Sequence, residues 1–269
     1  MKSITYYFLL IILLIGCGTN PQPEDPVPLH QTLKLQSKIL GETRVINIWT
    51  PLNYTTGDSL PVLFMLDGGV KEDFPHLANT LAKLIATNQI PSTILVGIEN
   101  TERRRNLTGP TQVAKDKEIA PLVGKSANFR DFIKTELIPE INKKYSITAE
   151  KGIIGESLAG LFVTETLLVE PELFDYYIAF DPSLWWNDSD LVKKSQEHLS
   201  KFPSGEKRFW FAGSNEKNIS SNTKLLAQAL SEKNLPQLKW NYSDEPKEKH
   251  NTIFRATKEK ALIWTMNKH

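Results

Sequence analysis

The sequence predicts an α/β fold with a mainly parallel central sheet, helices on both faces and antiparallel strands at its N-terminal edge. Short apolar runs alternate with stretches of helical periodicity along most of the 269 residues. Most of these runs are apolar throughout, as expected for strands buried on both faces of a sheet. The stretch TLKLQSKILGETRVINIWTP instead alternates apolar and polar residues on both sides of Gly41-Glu42, which predicts an antiparallel hairpin.

The remaining elements alternate strand with helix, so each pair of strands is joined by a helical crossover. The predicted strands are Pro61–Leu66, Ser92–Ile98, Gly152–Ile154, Tyr176–Phe180, Arg208–Ala212 and Leu238–Tyr242. The predicted helices contain Leu77–Ile85, Phe129–Ile141, a stretch from Leu158, a stretch near Leu191, Asn222–Leu230 and a stretch from about Thr252. Pro139 predicts a kink or a break in the second of these helices.

The N-terminus has the pattern of an export signal. An apolar run from Tyr6 to Ile15 is too short to span a bilayer comfortably and fits the apolar region of a signal peptide. Leu14-Ile15-Gly16-Cys17 resembles the bacterial lipobox, in which the cysteine is lipidated; an ordinary cleaved signal is the alternative. We therefore expect a lipoprotein signal peptide over residues 1–17, a flexible tether over 18–28 and one domain over 29–269.

Composition narrows the classes of function. The formal net charge is +1, which gives no indication of nucleic-acid binding. Cys17 is the only cysteine, so the predicted domain contains no disulfide and depends on its core for stability. The expected partners are a small-molecule substrate and a membrane reached through the lipid anchor, and the expected location is the bacterial cell envelope.

Ser157 lies in the stretch KGIIGESLAGLFV, between a predicted strand and a predicted helix. Gly155-Glu156-Ser157-Leu158-Ala159 nearly matches G-x-S-x-G, the tight turn that exposes a nucleophilic serine hydroxyl. Ala159 replaces the last glycine, and Gly160 follows it. The alternative is an ordinary serine at a helix N-cap, but the placement after a strand and before a helix favours a nucleophile.

A serine nucleophile needs a base and an acid. His250 is the histidine that lies after the last predicted strand and before the final helix, which fits the chain order serine, acid, histidine. Glu216, after the strand Arg208–Ala212, is the favoured acid, and Asp181, after the preceding strand, is its rival. A bare serine–histidine pair is a third possibility.

Backbone N–H groups are expected to bind the oxyanion that forms on the ester carbonyl. One donor should be Leu158, which directly follows the nucleophile. The other should come from Asp67-Gly68-Gly69, where glycine allows close approach of the backbone. The sequence does not distinguish Gly68 from Gly69, and the alternative interpretation of this stretch is a plain turn.

Several of these segments together resemble the putative-esterase family of α/β-hydrolases, over nearly all of residues 30–269. The family includes relatives of formylglutathione hydrolase, ferric-siderophore esterases and feruloyl esterases. The siderophore-esterase branch carries the patterns N-T-x-R-x-R-D-L-T-P and S-P-S-L-W-W. NTERRRNLTGP and DPSLWW match these patterns except that Asn106 replaces Asp, Gly109 is inserted before Pro110 and Asp181 replaces Ser.

The resemblance implies the α/β-hydrolase fold and a serine carboxylic-ester hydrolase that works through an acyl-enzyme without a metal or organic cofactor. Arg103 and Arg105 are expected to form an anion-binding rim, although arginines in polar loops are commonly only solvated. Trp185 and Trp186 are expected to line a pocket or, equally, to pack in the core. Siderophore-type esters are the expected substrates. The alternatives are acyl transfer, hydrolysis of feruloyl or acetyl esters of glycans, and a non-catalytic binding lipoprotein.

Overall fold

The structure is a computed structural model that describes residues 25–267. Within them, eight strands form one sheet in the order β1-β2-β4-β3-β5-β6-β7-β8. The strands are β1 Gln31–Ser37, β2 Glu42–Trp49, β3 Leu60–Leu66, β4 Ile94–Ile98, β5 Ile147–Glu156, β6 Tyr176–Phe180, β7 Lys207–Gly213 and β8 Leu238–Asp244. β2 pairs antiparallel with β1 and with β4, and all other neighbouring strands are parallel. The predicted fold class and its antiparallel N-terminal edge are confirmed.

Helices cover both faces of the sheet. They are α1 Phe74–Ala86, α2 Arg103–Leu107, α3 Ala114–Ile119, α4 Ser126–Phe132, α5 Ile138–Lys144, α6 Leu158–Val169, α7 Trp186–Lys193, α8 Ser195–Ser200, α9 Lys217–Lys233 and α10 Ile253–Met266. Apolar residues of α1 and α10 form a core on one face, and those of α4, α5, α6, α8 and α9 form a core on the other. The sequence did not predict α2 and α3, because five or six residues are too few to show helical periodicity.

The helix that contains Pro139 continues past this residue, with a π-helical turn before it. The helix predicted over Phe129–Ile141 forms as α4 and α5, which are joined by a π-helical turn over Ile133–Leu137. Pro139 has no N–H to donate to the carbonyl four residues earlier. The π turn places the unpaired position at the start of α5, where a missing N–H is tolerated.

The N-terminal residues that the structure describes lie against the domain. The Asp25 carboxylate is 3.0 Å from His76 Nδ1 and 2.9 Å from Arg255 Nη1, and Asn79 Nδ2 donates to the Pro26 carbonyl at 2.7 Å. The chain is therefore docked from residue 25, three residues before the predicted end of the tether. The predicted signal peptide and Cys17 lie outside the described residues. Across residues 25–267, no helix combines the length and apolar character needed to cross a membrane.

The order of the strands in the sheet determines where the candidate site lies. β3, β5, β6 and β7 are consecutive neighbours and run parallel to one another. Residues that directly follow these strands therefore meet at one edge of the sheet. They are Asp67 after β3, Ser157 after β5, Asp181 after β6 and Ser214 after β7.

Candidate active site

Ser157 occupies a tight turn between β5 and α6. Its backbone has φ 60° and ψ −118°, a conformation that L-residues rarely adopt and that surrounding structure must hold in place. Small residues are required there: a β-carbon on Gly155 would lie 2.7 Å from the Ala159 backbone, and one on Gly160 would lie 2.9 Å from the Phe180 carbonyl oxygen. The Ser157 side chain makes no capping hydrogen bond to α6, which argues against the N-cap interpretation.

His250 lies in the loop between β8 and α10, beside Ser157. Its Nε2 is 3.1 Å from Ser157 Oγ, and its Nδ1 is 2.6 Å from Asp181 Oδ2. With Nδ1 protonated, the ring donates to the carboxylate and Nε2 accepts the Ser157 O–H. The structure thus brings together the serine and the histidine that the sequence analysis paired, and it adds a carboxylate behind them.

That carboxylate belongs to Asp181 and not to Glu216. Asp181 is fully buried, and its carboxylate accepts the Ser214 N–H at 2.6 Å and the Ser214 hydroxyl at 2.8 Å in addition to the His250 ring. Glu216 is exposed and stands at the N-cap of α9. The preference for Glu216 was wrong because the chain turns outward directly after Ser214, and the alternative of a bare serine–histidine pair is not what the structure shows.

A sequence signal for Asp181 existed. β6 is buried at every position, and Asp181 follows it directly. A carboxylate at the end of such a strand is buried with it and needs hydrogen-bond donors to offset its desolvation. Chain order alone did not distinguish it from Glu216, since both residues lie between Ser157 and His250.

The hydrogen bond to Asp181 raises the pKa of the His250 imidazole above its ordinary value, against an opposing effect of burial. A carboxylate close to an imidazole favours its cation. The pairing therefore makes His250 a stronger base and stabilises the charge that it gains when it accepts a proton.

Of the three backbone N–H groups predicted to bind the oxyanion, that of Leu158 is available to accept this role, and those of Gly68 and Gly69 already donate to other groups. The Leu158 N–H lies in the first turn of α6 and has no acceptor among residues 25–267. The Gly68 N–H donates to the Ile98 carbonyl at 3.0 Å, and the Gly69 N–H donates to Glu72 Oε2 at 2.7 Å.

The expectation for Gly68 and Gly69 is therefore not met in this structure. Both amides are held by partners that the sequence could not reveal: the Ile98 carbonyl at the end of β4 and the side chain of Glu72. Burial raises the pKa of that glutamate. The next amide along the loop, that of Val70, has no acceptor within residues 25–267.

The two arginines expected to form an anion-binding rim are paired with carboxylates. Arg103 donates from Nε and Nη2 to the two oxygens of Asp67, each at 2.7 Å, and from Nη2 to the Glu156 carbonyl at 3.3 Å. Arg105 Nη2 lies 2.8 Å from both oxygens of Glu42. Arg103 therefore ties the loop after β3 to the residue that precedes Ser157, and the predicted rim is not formed.

The two tryptophans have different environments. Trp186 is 5% exposed and donates from Nε1 to the Gly109 carbonyl at 2.9 Å, so it fits the core-packing alternative. Trp185 is half-buried, with its ring centroid 6.1 Å from that of Trp186. Of the pair, Trp185 is therefore the one that retains surface for contact with a substrate.

Glu156 fills a variable position of the serine motif, so the sequence pattern gives it no role. Burial raises its pKa to about 8, and the negative charge of Asp73 adds to the shift. Glu156, Asp67, Asp73 and Phe254 are among the residues that line a small recess. Glu156 is therefore predominantly uncharged at neutral pH, next to the Ser157–His250 pair.

No group of three or more His, Cys, Asp or Glu side chains in the described part of the chain is arranged to hold a metal ion.

Comparison with known proteins places the chain in a family. A family model described as "Putative esterase" matches residues 37–261. The chain belongs to this esterase family. The family resemblance seen in the sequence is thereby confirmed.

Two curated esterases are similar in sequence. Ferri-bacillibactin esterase BesA of Bacillus subtilis is 37% identical over 194 residues, which cover 65% of this chain and 65% of BesA. The siderophore triacetylfusarinine C esterase of Aspergillus fumigatus is 28% identical over 198 residues, which cover 66% of this chain and 64% of that enzyme. The chain thus spans just under two thirds of the length of each relative.

Solved structures support the same fold. An IroE-like serine hydrolase from Shewanella oneidensis superposes with a TM-score of 0.81 at 26% identity, covering 88% of this chain and 79% of its own. The BES protein from Bacillus cereus superposes with a TM-score of 0.79 at 22% identity, covering 89% of this chain and 96% of its own. The predicted α/β-hydrolase fold is confirmed.

Proposed function

We propose that this esterase-family protein hydrolyses carboxylic esters through an acyl-enzyme formed on Ser157. The observation that carries the proposal is the continuous hydrogen-bond chain from Ser157 Oγ through the His250 ring to the buried Asp181 carboxylate. A serine hydroxyl is a weak nucleophile until a positioned base takes its proton. In this hydrogen-bonded arrangement, His250 is the base and Asp181 is the group that orients it.

The reaction proceeds in two halves. In the first half, His250 Nε2 takes the Ser157 proton while Oγ attacks the ester carbonyl, and the Leu158 N–H stabilises the resulting oxyanion. The tetrahedral intermediate collapses, and His250 returns the proton to the departing alcohol. In the second half, a water molecule gives its proton to His250 and attacks the acyl carbon, and Oγ leaves with the proton from Nε2.

Asp181 acts through His250. Its carboxylate fixes the Nδ1–H tautomer, so that Nε2 faces Ser157 as an acceptor, and it stabilises the imidazolium formed in both halves. The N–H and the hydroxyl of Ser214 donate hydrogen bonds to the carboxylate, which offset the free-energy cost of its desolvation.

We propose siderophore-type esters as the substrate class. The proposal is supported by the two curated relatives, one described as a ferri-bacillibactin esterase and the other as a siderophore triacetylfusarinine C esterase. The half-buried Trp185, which lies one residue before α7, offers an aromatic surface to an acyl group. Since Arg103 and Arg105 are engaged by carboxylates, an anionic siderophore would have to use other contacts or displace these pairs.

A panel of esters tests both parts of this proposal. Hydrolysis would be measured for the parent protein and for Ser157→Ala. The substrates would be ferric trilactone siderophores, feruloylated and acetylated glycans, and short nitrophenyl esters. We expect hydrolysis of the nitrophenyl esters and the trilactones, and a loss of several orders of magnitude in Ser157→Ala. Product analysis with added alcohol acceptors distinguishes hydrolysis from acyl transfer. Turnover of nitrophenyl esters without turnover of trilactones would reject the substrate class and keep the mechanism.

We propose that the protein is anchored to a bacterial envelope membrane by lipid on Cys17. The sequence Leu14-Ile15-Gly16-Cys17, directly after an apolar run, supports the proposal. Membrane fractions of cells producing the full chain should contain the protein, and Cys17→Ala should release it or retain the unprocessed signal. Equal partitioning of both proteins, with masses that differ only by the substitution itself, would reject lipidation.

A further inference from the structure

A second serine lies against the nucleophile. Ser183 Oγ is 3.3 Å from Ser157 Oγ, and the Ser183 N–H donates to the Ser157 carbonyl at 3.0 Å. Ser183 is 2% exposed and follows Asp181-Pro182 in the same loop. One short segment therefore holds both the carboxylate behind His250 and a hydroxyl beside Ser157.

The donor in the serine pair follows from the number of protons. Ser157 has one hydroxyl proton, which points to His250 Nε2 in the reactive arrangement. The hydrogen bond between the two serines must then be donated by Ser183. Among the described residues, Ser157 Oγ is the hydrogen-bond partner of Ser183 Oγ.

We propose that Ser183 is a further catalytic residue, whose hydroxyl stabilises Ser157 Oγ as the acyl-enzyme is hydrolysed. The inference rests on the proposed function, since it assigns a role within the same reaction. Ser183 keeps its own proton throughout. Water forms the new bond to the acyl carbon and gives a proton to His250 Nε2, the bond from carbon to Ser157 Oγ breaks, and the same Nε2 returns a proton to Oγ.

The contribution is larger in deacylation than in acylation. In the acyl-enzyme, Oγ is an ester oxygen whose lone pair is delocalised into the carbonyl, so it accepts a hydrogen bond poorly. It becomes basic as the tetrahedral intermediate forms and gains negative charge as it leaves. In acylation, Oγ already accepts this hydrogen bond as a basic alcohol oxygen before it attacks, so less of the bond's strength is gained between the ground state and the transition state. Only an interaction that strengthens towards the transition state accelerates a step.

The resting distance is consistent with this role. At 3.3 Å the two oxygens are further apart than in a typical O–H···O hydrogen bond, for which about 2.7–2.8 Å is usual. Hydrogen bonds to a negatively charged oxygen shorten to about 2.5–2.7 Å and are roughly twice as strong. The pair therefore has strength to gain when charge develops on Oγ.

Single-turnover kinetics with enzyme in excess over p-nitrophenyl acetate separate the two steps. Release of nitrophenol reports acylation, and decay of the acetylated protein in intact mass spectra reports deacylation. For Ser183→Ala we expect deacylation to slow by about tenfold, the loss typical of one hydrogen bond, and acylation to stay within about twofold of the parent. Ser183→Cys, which keeps the side-chain volume but donates weakly, should show the same pattern if Ser183→Ala folds poorly.

Ser214→Ala is a matched control, because it removes another buried serine hydroxyl from the same site. That hydroxyl supports Asp181 and hence His250, which acts in both steps, so both should slow by similar factors. Equal slowing of both steps in Ser183→Ala and Ser183→Cys, or no change in deacylation, would overturn the proposal. Failure of the parent to form an acyl adduct on Ser157 would instead overturn the proposed function.

Discussion

The Asp181 carboxylate lies 2.6 Å from His250 Nδ1, with no exposure to solvent, at the end of β6. Its backbone has φ 45°, in the left-handed region, so the chain turns sharply to aim this side chain at His250. Ser214, at the end of the neighbouring strand β7, holds the carboxylate with its N–H and its hydroxyl. The orienting acid is thus supplied by one strand and supported by the next.

Asp181→Asn should reduce kcat/KM by roughly 10³–10⁴, because an amide can fix the wrong tautomer and cannot stabilise the imidazolium. Glu216→Gln is the matched control and should leave kcat/KM within about twofold, since Glu216 is exposed and the assignment gives it no part in the reaction. Hydrolysis of a nitrophenyl ester measures both. The reverse ranking of the two variants would show that the acid is assigned to the wrong strand.

The rate should depend on pH through His250. The neutral ring is the active base, and the Asp181 hydrogen bond raises its pKa above the ordinary value of 6.5. The acidic limb of kcat/KM for the parent should therefore have its midpoint above pH 6.5. In Asp181→Asn the midpoint should move to lower pH, because the raising interaction is lost. A midpoint that stays in place would mean that another group controls the limb.

Glu156 should make the fold less stable as the pH rises. Burial raises its pKa to about 8 in the folded protein, while an unfolded chain has the ordinary value of 4.5. Between these values the folded state binds more protons than the unfolded state, so its contribution to the free energy of unfolding falls with pH. Relative to the parent, Glu156→Gln should gain thermal stability progressively from about pH 4.5 to about pH 8 and change little above that. A difference in melting temperature that does not vary with pH would contradict the raised pKa of Glu156.

Arg103 should affect the rate by holding the backbone next to Ser157 in position. It bridges Asp67 and the Glu156 carbonyl, next to Ser157, and a lysine cannot reproduce its two parallel hydrogen bonds. Arg103→Lys should therefore lower kcat for a neutral nitrophenyl ester by about tenfold, which corresponds to the free energy that a hydrogen bond to a charged group typically contributes. Arg105→Lys, which alters the pair with Glu42, is the control and should change kcat little. An increase in KM for anionic esters alone, with kcat unchanged, would favour the anion-binding role instead.

Much of the fold followed from periodicity, because fully buried strands such as β6 and amphipathic helices such as α1 carry strong local patterns. The turn at Ser157 was also predictable, since its glycines have a steric cause. The partners of Asp181, Gly69 and Arg103 were not. They depend on which strand ends are neighbours and on where the chain turns outward after each strand, and the sequence specifies neither directly.

We infer that esters are cleaved through a covalent bond to Ser157. The direct measurement is peptide mapping by mass spectrometry after the protein reacts with a fluorophosphonate probe or a slowly hydrolysed ester. We predict a single adduct on Ser157 that is absent in Ser157→Ala and forms far more slowly in His250→Ala. Hydrolysis by Ser157→Ala at the parental rate, or an adduct on a different residue, would show that Ser157 is not the nucleophile.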